Sequence, residues 1–322
     1  MKKFLKYLKI FITVGILLYF VWYFYKNQED FLLVLSTDRK YILALFFLNS
    51  LSFLLNGIFI KVILERFKKT ITVGESFYIS VISSLGNYFL PMRGGAVIRS
   101  VYLKKKFDFS YSHFVSTLYG NYIIVFLVNA FVALLSLIVI QLNTEVISYP
   151  LYIFFGALFV GMLILSTFEI PIYRIKDTKL VFVNKIKKII TDILNGWNII
   201  ISDRKLLLSL ILLTFGNFIF MTIIFWIEFL ALNIETTLVS VILYNCISGV
   251  SLLVSLTPGS LGIREGLFII TSDILGISSS EVLQLALLDR SILAITLILL
   301  FTIFHIVRFF NKIKNKKVNA IN

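Results

Sequence analysis

Six long apolar runs dominate the chain, at about 10–26, 41–60, 111–140, 150–168, 206–227 and 282–307. They are continuous rather than alternating, and several reach the roughly 20 residues that a helix needs to cross a bilayer. A β-barrel would instead alternate apolar and polar residues in segments of about ten. Two further apolar stretches, 77–98 and 238–276, are interrupted. The first contains "SSLGNYFLPMRGGAVIRS" (Ser83–Ser100) and the second "SLLVSLTPGSLGIREG" (Ser251–Gly266). Pro91 and Pro258 each remove a backbone donor and break a helix. Gly94, Gly95, Gly259 and Gly262 follow them and permit tight turns.

Composition agrees with the runs: 59% of residues are hydrophobic, 15% are charged, and the mean hydropathy is +0.94. The net charge of +14 reads as membrane orientation rather than nucleic-acid binding, because 25 of the 31 basic residues fall in 1–9, 61–69, 99–106, 174–205 and 308–317. All five stretches face the cytoplasm together on one condition. Segment 77–98 must enter from the inside and return there, and 238–276 must enter from the outside and return there. From Phe77 to Leu90 the chain reaches about 21 Å as a helix, short of the roughly 30 Å core. Val239–Thr257 is long enough to cross, but its return arm, Glu265–Leu275, is not.

The expected fold is therefore an all-α polytopic membrane protein. It has about six full spans and two re-entrant or broken-helix hairpins, arranged as an inverted repeat. One half is 1–140 and the other 150–307, joined by the polar 141–150 and followed by a basic tail, 308–322. Within the second half, 174–205 holds an amphipathic stretch. Phe182, Ile186, Ile189, Ile193, Trp197 and Ile200 recur at helical spacing, which predicts a helix on the cytoplasmic interface. Both termini are expected in the cytoplasm. Abundant Lys, Ile, Asn and Phe suggest a bacterial cell membrane.

The broken hairpins hold the candidate chemistry. A half-helix starting after each break presents its positive end, suited to phosphate or carboxylate. Arg93, Arg264 and Arg290 reinforce that sign, and an arginine at mid-helix costs roughly 2.5–3.5 kcal/mol unless it has a partner or a task. Glu265 and Asp289 are the acids nearby. They are read either as partners of the arginines in a structural network or as groups for a cationic headgroup or a proton. Asn87, Asn217 and Asn245 read as helix–helix hydrogen-bonding residues. Cys246, His113 and His305 read as packing or interfacial residues, so neither a metal nor a cofactor is expected. Walker A, Ser/His/Asp and zinc-helix patterns are absent from the sequence.

These motifs carry a resemblance. "YFLPMRGGAVIRSVYLKKKFDFSYSHFVST" and "SLTPGSLGIREGLFIITSDILGISSSEVLQLALLDR" resemble the two signatures of the lysylphosphatidylglycerol synthase transmembrane-region family, also called flippase-like. The matching positions are Pro91, Arg93, Gly95, Arg99, Pro258, Gly259, Gly262, Arg264, Glu265 and Arg290. Ala96 stands where the family usually has an acid, which weighs against an acid-dependent step at the first hairpin. The resemblance implies the translocating part of such proteins rather than the lysyltransferase domain some of them carry. Its expected partner is a membrane phospholipid, anionic or aminoacylated, or a polyprenyl-phosphate lipid. The alternative it implies is a membrane subunit or relative of phosphatidylglycerol lysyltransferase or of a lipid-linked glycosyltransferase, with a cytoplasmic transferase docked on 174–205.

Overall fold

The computed structural model describes residues 36–90, 93–144, 146–167, 184, 191, 197–254, 257–260 and 262–318. The apolar run 10–26, Pro91 and most of 174–205 lie outside these.

Among the described residues, five helices are long and apolar enough to cross a membrane, and each coincides with a predicted run. They are α1 (Arg39–Arg66), α4 (Tyr111–Thr144), α5 (Tyr149–Thr167), α6 (Arg204–Ala231) and α10 (Ser279–Val318). Between them lie α2 (Val73–Phe89), α3 (Gly94–Phe107), α7 (Leu238–Ser251), α8 (Ile263–Ile270) and the single turn α9 (Ser272–Leu275). Helix α4 runs farther than its apolar run because Asn143 and Thr144 bond back to the Val139 and Ile140 carbonyls. Only residues 145–148 then remain between α4 and α5. The sequence left open whether the second interrupted stretch spans. Helix α7 stops after 14 residues, about 21 Å of rise and short of the hydrocarbon core.

Both interrupted stretches begin alike. Thr72 caps α2 by accepting from the Glu75 N–H at 3.2 Å, and Thr237 caps α7 by accepting from the Ser240 N–H at 3.1 Å. Such a cap contributes about 1 kcal/mol. Helix α2 ends at Leu90, which is extended (φ −108°, ψ 143°), as a residue before proline prefers. The chain turns through Arg93 in the left-handed region (φ 55°) and returns as α3. The second break uses a 3-10 turn at Pro258–Ser260, with positive φ at Gly259, Ser260 and Gly262.

Helices α2 and α3 form a closed hairpin. A Cβ on Gly95 would stand 1.7 Å from the Ser83 carbonyl oxygen, and one on Gly86 would stand 2.7 Å from the Gly95 Cα. At the open end, Glu75 in the first turn of α2 accepts from Lys106 at the end of α3 (2.5 Å), from Arg308 of α10 (2.8 Å) and from the Tyr102 hydroxyl. Arg66 at the end of α1 meets Asp203, the N-cap of α6, at 2.9 Å. Basic ends of several elements thus sit close to one another.

Helix α1 packs on both α2 and α6, α2 packs on α10, and α7 packs on α4 and α6. The largest apolar cluster joins α4, α6, α7 and α8 around Phe225, Phe229, Tyr244 and Phe268, with the Tyr244 and Phe268 rings stacked 3.7 Å apart. Trp197 and Ile200, predicted on the apolar face of an interfacial helix, are buried against Ile123, Ile124 and Leu210, and the Trp197 indole donates to the Ser166 carbonyl. Their apolar face therefore covers protein here.

Gly95→Ala is expected to prise the hairpin apart, costing about 1–3 kcal/mol as overpacking. Gly161→Ala on α5, where an added Cβ meets nothing within 4 Å, is expected to leave stability unchanged or slightly raised. Thermal unfolding of the purified full chain in detergent compares them. The Glu75 junction predicts a pH effect. Burial raises the Glu75 carboxyl, but hydrogen bonds from Lys106 and Tyr102 and the Arg308 charge outweigh it and hold it below its ordinary value. A carboxyl depressed by folding contributes stability above its unfolded pKa and loses it as pH falls through the folded one. Acidification is therefore expected to lower the melting temperature of the wild type more than that of Glu75→Gln.

Candidate functional site

The two breaks meet. Arg93, at the tip of the first hairpin, donates to the Leu252 carbonyl just past α7 and lays its guanidinium over the Tyr122 ring of α4, 4.7 Å from the centroid. The Tyr88 hydroxyl, at the end of α2, donates to the Arg290 carbonyl of α10 at 3.0 Å. The 3-10 turn at Pro258–Ser260 packs on α2, and a Cβ on Gly259 would stand 3.4 Å from the Tyr88 carbonyl oxygen and 3.3 Å from an Arg290 nitrogen. The positive φ at Gly259, 54°, and that close approach both favour glycine.

Beside this junction lies a cavity of about 510 Å³, walled by α1, α2, α4, α6, α7 and the two breaks. Its polar lining includes Asn56, Asn87, Asn121, Asn129, Asn217 and Asn245. Part of this set is structural, as predicted. Asn217 accepts from the Ser52 hydroxyl of α1 at 3.1 Å, and Asn245 donates to Thr222 and to the Phe218 carbonyl of α6. Asn87 lies against Gly95 of α3. Others are unspent: the buried Ser80 hydroxyl, the Asn121 carbonyl and the Arg99 Nε have no hydrogen-bond partner among the described residues. A buried polar atom left so costs about 1–3 kcal/mol.

Four arginines and one aspartate supply the charge of the lining. Two of the arginines are matched. Arg264 pairs with Asp289, and the Arg290 Nε donates to Glu265 at 2.8 Å, so α8 is tied to α10 by two adjacent ion pairs. The second oxygen of Glu265 accepts from the Gly262 N–H at 2.7 Å. The start of α8 is therefore capped by its own glutamate, and that amide is not free for an anion as the sequence suggested. Arg93 and Arg99 have no carboxylate partner among the described residues. Arg99 faces the Phe114 ring at 5.1 Å. Subtracting the two matched pairs leaves two positive charges, Arg93 and Arg99, facing the cavity.

Of the residues singled out from sequence, Arg93, Arg99, Gly259, Arg264, Asp289 and Arg290 line the cavity. Gly94 and Gly95 serve the hairpin instead: a Cβ on Gly94 would meet the Leu90 side chain at 2.5 Å. Glu265 supports Arg290 from behind, and Gly262 supplies the turn before α8. Pro258 lies in the 3-10 turn, and Pro91 is outside the described residues. Sequence reasoning missed Glu228. It ends the apolar run 206–227, yet α6 continues to Ala231 and buries it completely. Its signal was a single acid flanked by apolar residues on both sides, "FWIEFLAL". Tyr244, fully buried and with no hydrogen-bond partner for its hydroxyl among the described residues, was likewise hidden within an apolar run. His113 packs between Phe67 and Phe109, His305 against Phe301, and Cys246 is buried.

Apolar helices of membrane-crossing length, broken around a cationic and amide-rich cavity, define the class: a multi-pass helical membrane protein. The chain belongs to the family described as the lysylphosphatidylglycerol synthase TM region, which matches residues 8–301, and that family relates it to lipid modification or translocation. No curated protein and no solved structure matches it.

The ion pairs generate a stability prediction. Asp289→Asn strands a buried guanidinium, which typically costs about 3–5 kcal/mol. The Arg264→Gln, Asp289→Asn double variant is expected to lose less than that single variant. Unfolding midpoints of the three proteins in one detergent check it. A double variant less stable than Asp289→Asn would show that the pair is not the unit of stability.

Proposed function

We propose that this chain is a lipid translocator that takes the phosphate-bearing headgroup of an anionic or aminoacylated phospholipid, or of a polyprenyl-phosphate lipid, into the cavity while the acyl or prenyl chains stay in the bilayer. The observation that carries the reading is the pair Arg93 and Arg99. Two cations face a buried, amide-lined space with no carboxylate of their own among the described residues. Guanidinium groups bind two phosphate oxygens at once, and the volume lies within the roughly 300–1,000 Å³ common for small-ligand sites. Arg264 and Arg290, engaged by Asp289 and Glu265, hold the wall in place.

The chain contacts support an inverted repeat. Helix α2 packs on α10 and α7 packs on α4, so each broken hairpin leans on the last long helix of the other half; α1 and α6, the corresponding helices of the two halves, pack on each other. In this reading the two hairpins are re-entrant, entering from opposite leaflets, with 10–26 as the sixth span and 1–140 and 150–307 as the halves. The gathering of Lys106 and Arg308 at Glu75 supports assigning that end to the cytoplasm by the positive-inside rule, in a bacterial inner membrane. A membrane partner for a cytoplasmic transferase is the alternative; its docking stretch lies mostly outside the described residues, and no contact favours it.

Reconstitution tests the reading. Liposomes carrying the full chain and acyl-labelled fluorescent phosphatidylglycerol are treated with a membrane-impermeant quencher. The chain is expected to expose inner-leaflet label faster than empty liposomes do. The Arg93→Ala, Arg99→Ala double variant is expected to slow this by at least about tenfold, since each charge-assisted bond contributes about 1.5–3 kcal/mol. Unaccelerated exposure with folded wild type defeats translocation of this lipid; full activity in the folded double variant defeats the site.

A further inference from the structure

Glu228 stands apart from every other acid described. It is completely buried, and neither carboxyl oxygen receives a hydrogen bond from the described residues. Its charged neighbours are Asp289 of α10 and Arg264 of α8, and the Tyr244 hydroxyl of α7 and Glu265 share the same electrostatic neighbourhood. Helix α1 presents Ile42, Leu45 and Leu48 to the cluster that holds Ile224 and Ile227 of α6, and its Ser52 hydroxyl meets Met221 and Asn217 of the same helix. From α4 the large apolar cluster presents alanines, leucines and isoleucines such as Ala133 and Leu137. The cavity reaches Asp289, Arg264 and Arg290; Glu228 lies one shell behind it.

Charge counting makes this group informative. Arg264, Arg290, Asp289 and Glu265 cancel as two pairs. A third carboxylate, ionised at Glu228, would leave a net negative charge, buried and without a donor among the described residues, which is strongly unfavourable. The uncharged cluster is thus the one in which Glu228 carries a proton. A negative charge in the cavity raises the free energy of ionising Glu228 further, so anion and proton favour one another.

We propose that Glu228 is a proton site coupled to the cavity: a phosphate-bearing anion binds together with one proton on Glu228, and loss of that proton weakens the anion's hold. The inference rests on the headgroup site proposed above and adds its coupling ion. No bond is made or broken beyond the transfer of one proton from water to the Glu228 carboxyl. By linkage, anion affinity is highest at low pH and falls by up to about tenfold per pH unit once Glu228 titrates. Reciprocally, anion binding takes up a proton.

The test uses the purified full chain in detergent and two probes of fixed charge, short-chain phosphatidylglycerol and dimethyl phosphate, titrated calorimetrically from about pH 5 to about pH 8. Repeating each titration in buffers of different ionisation enthalpy counts the protons. Wild type is expected to take up about one proton per anion over part of this range and to weaken as pH rises. Glu228→Gln, which imitates the neutral acid, is expected to bind with a flat pH profile and no proton uptake. Binding by wild type with no proton uptake at any pH overturns the inference, whatever the variant does. So does a Glu228→Gln protein that keeps the wild-type profile, or an Asp289→Asn protein that alone loses it. Tight binding of the lipid probe with weak dimethyl phosphate supports a lipid headgroup as the coupled anion; equal binding with the same proton uptake supports the proton site but makes the ligand a free phosphate ester. If neither probe binds wild type at any pH, the headgroup site itself fails, and the proton site with it.

Discussion

An interrupted helix inside an apolar bundle leaves carbonyls and amides that lipid cannot satisfy. Here each interruption is covered by the other. The Leu252 carbonyl, freed where α7 gives way to a 3-10 turn, takes the Arg93 guanidinium from the first hairpin. The Arg290 carbonyl takes the Tyr88 hydroxyl, and the Gly259 turn sits under the Tyr88 carbonyl. The two breaks are therefore one structural unit made of four helices distant in sequence. The cavity lies beside that unit because it is where several helices cannot pack continuously.

The sorting of charge around the cavity separates the arginines held in ion pairs from those that are not. Arg264 and Arg290 look, from sequence, as much like ligand-binding groups as Arg93 does. Their carboxylates are what distinguish them: Asp289 and Glu265 each occupy one guanidinium, and Glu265 closes the α8 cap as well. Arg93 and Arg99 instead rest on aromatic faces, contacts that contribute roughly 0.5–2 kcal/mol, and Arg93 also donates to the Leu252 carbonyl.

Much of this was legible in the chain. The five described spans follow their apolar runs, and the first break falls at its proline because Leu90 must be extended before Pro91, whereas α7 already ends at Ser251, short of Pro258. Basic clustering read the first hairpin correctly as one that returns to its starting end, where Glu75 meets Lys106. Less legible were features set by tertiary contact. Nothing local shows that Asn129 will lie against Gly249, or that Arg264 will find its acid 25 positions away in Asp289. Glu228 was hidden by position: one acid near the end of an apolar run reads as the edge of the membrane until the helix proves longer than the run. The polar 141–150 read as a linker because hydropathy cannot register side chains that bond back to their own helix, as Asn143 and Thr144 do.

The glycine contacts between α2 and α3 have a mechanical corollary. At Gly86 and Gly95 the two backbones approach closely, with the Ile98 and Asn87 side chains against the same seam, so neither arm can slide past the other without a clash. The hairpin must tilt as a single stiff lever. Its open end is tied to α10 through Glu75 and Arg308 and its tip to the second break through Arg93 and Tyr88, so a displacement at either anchor is carried along the stiff arm to the other.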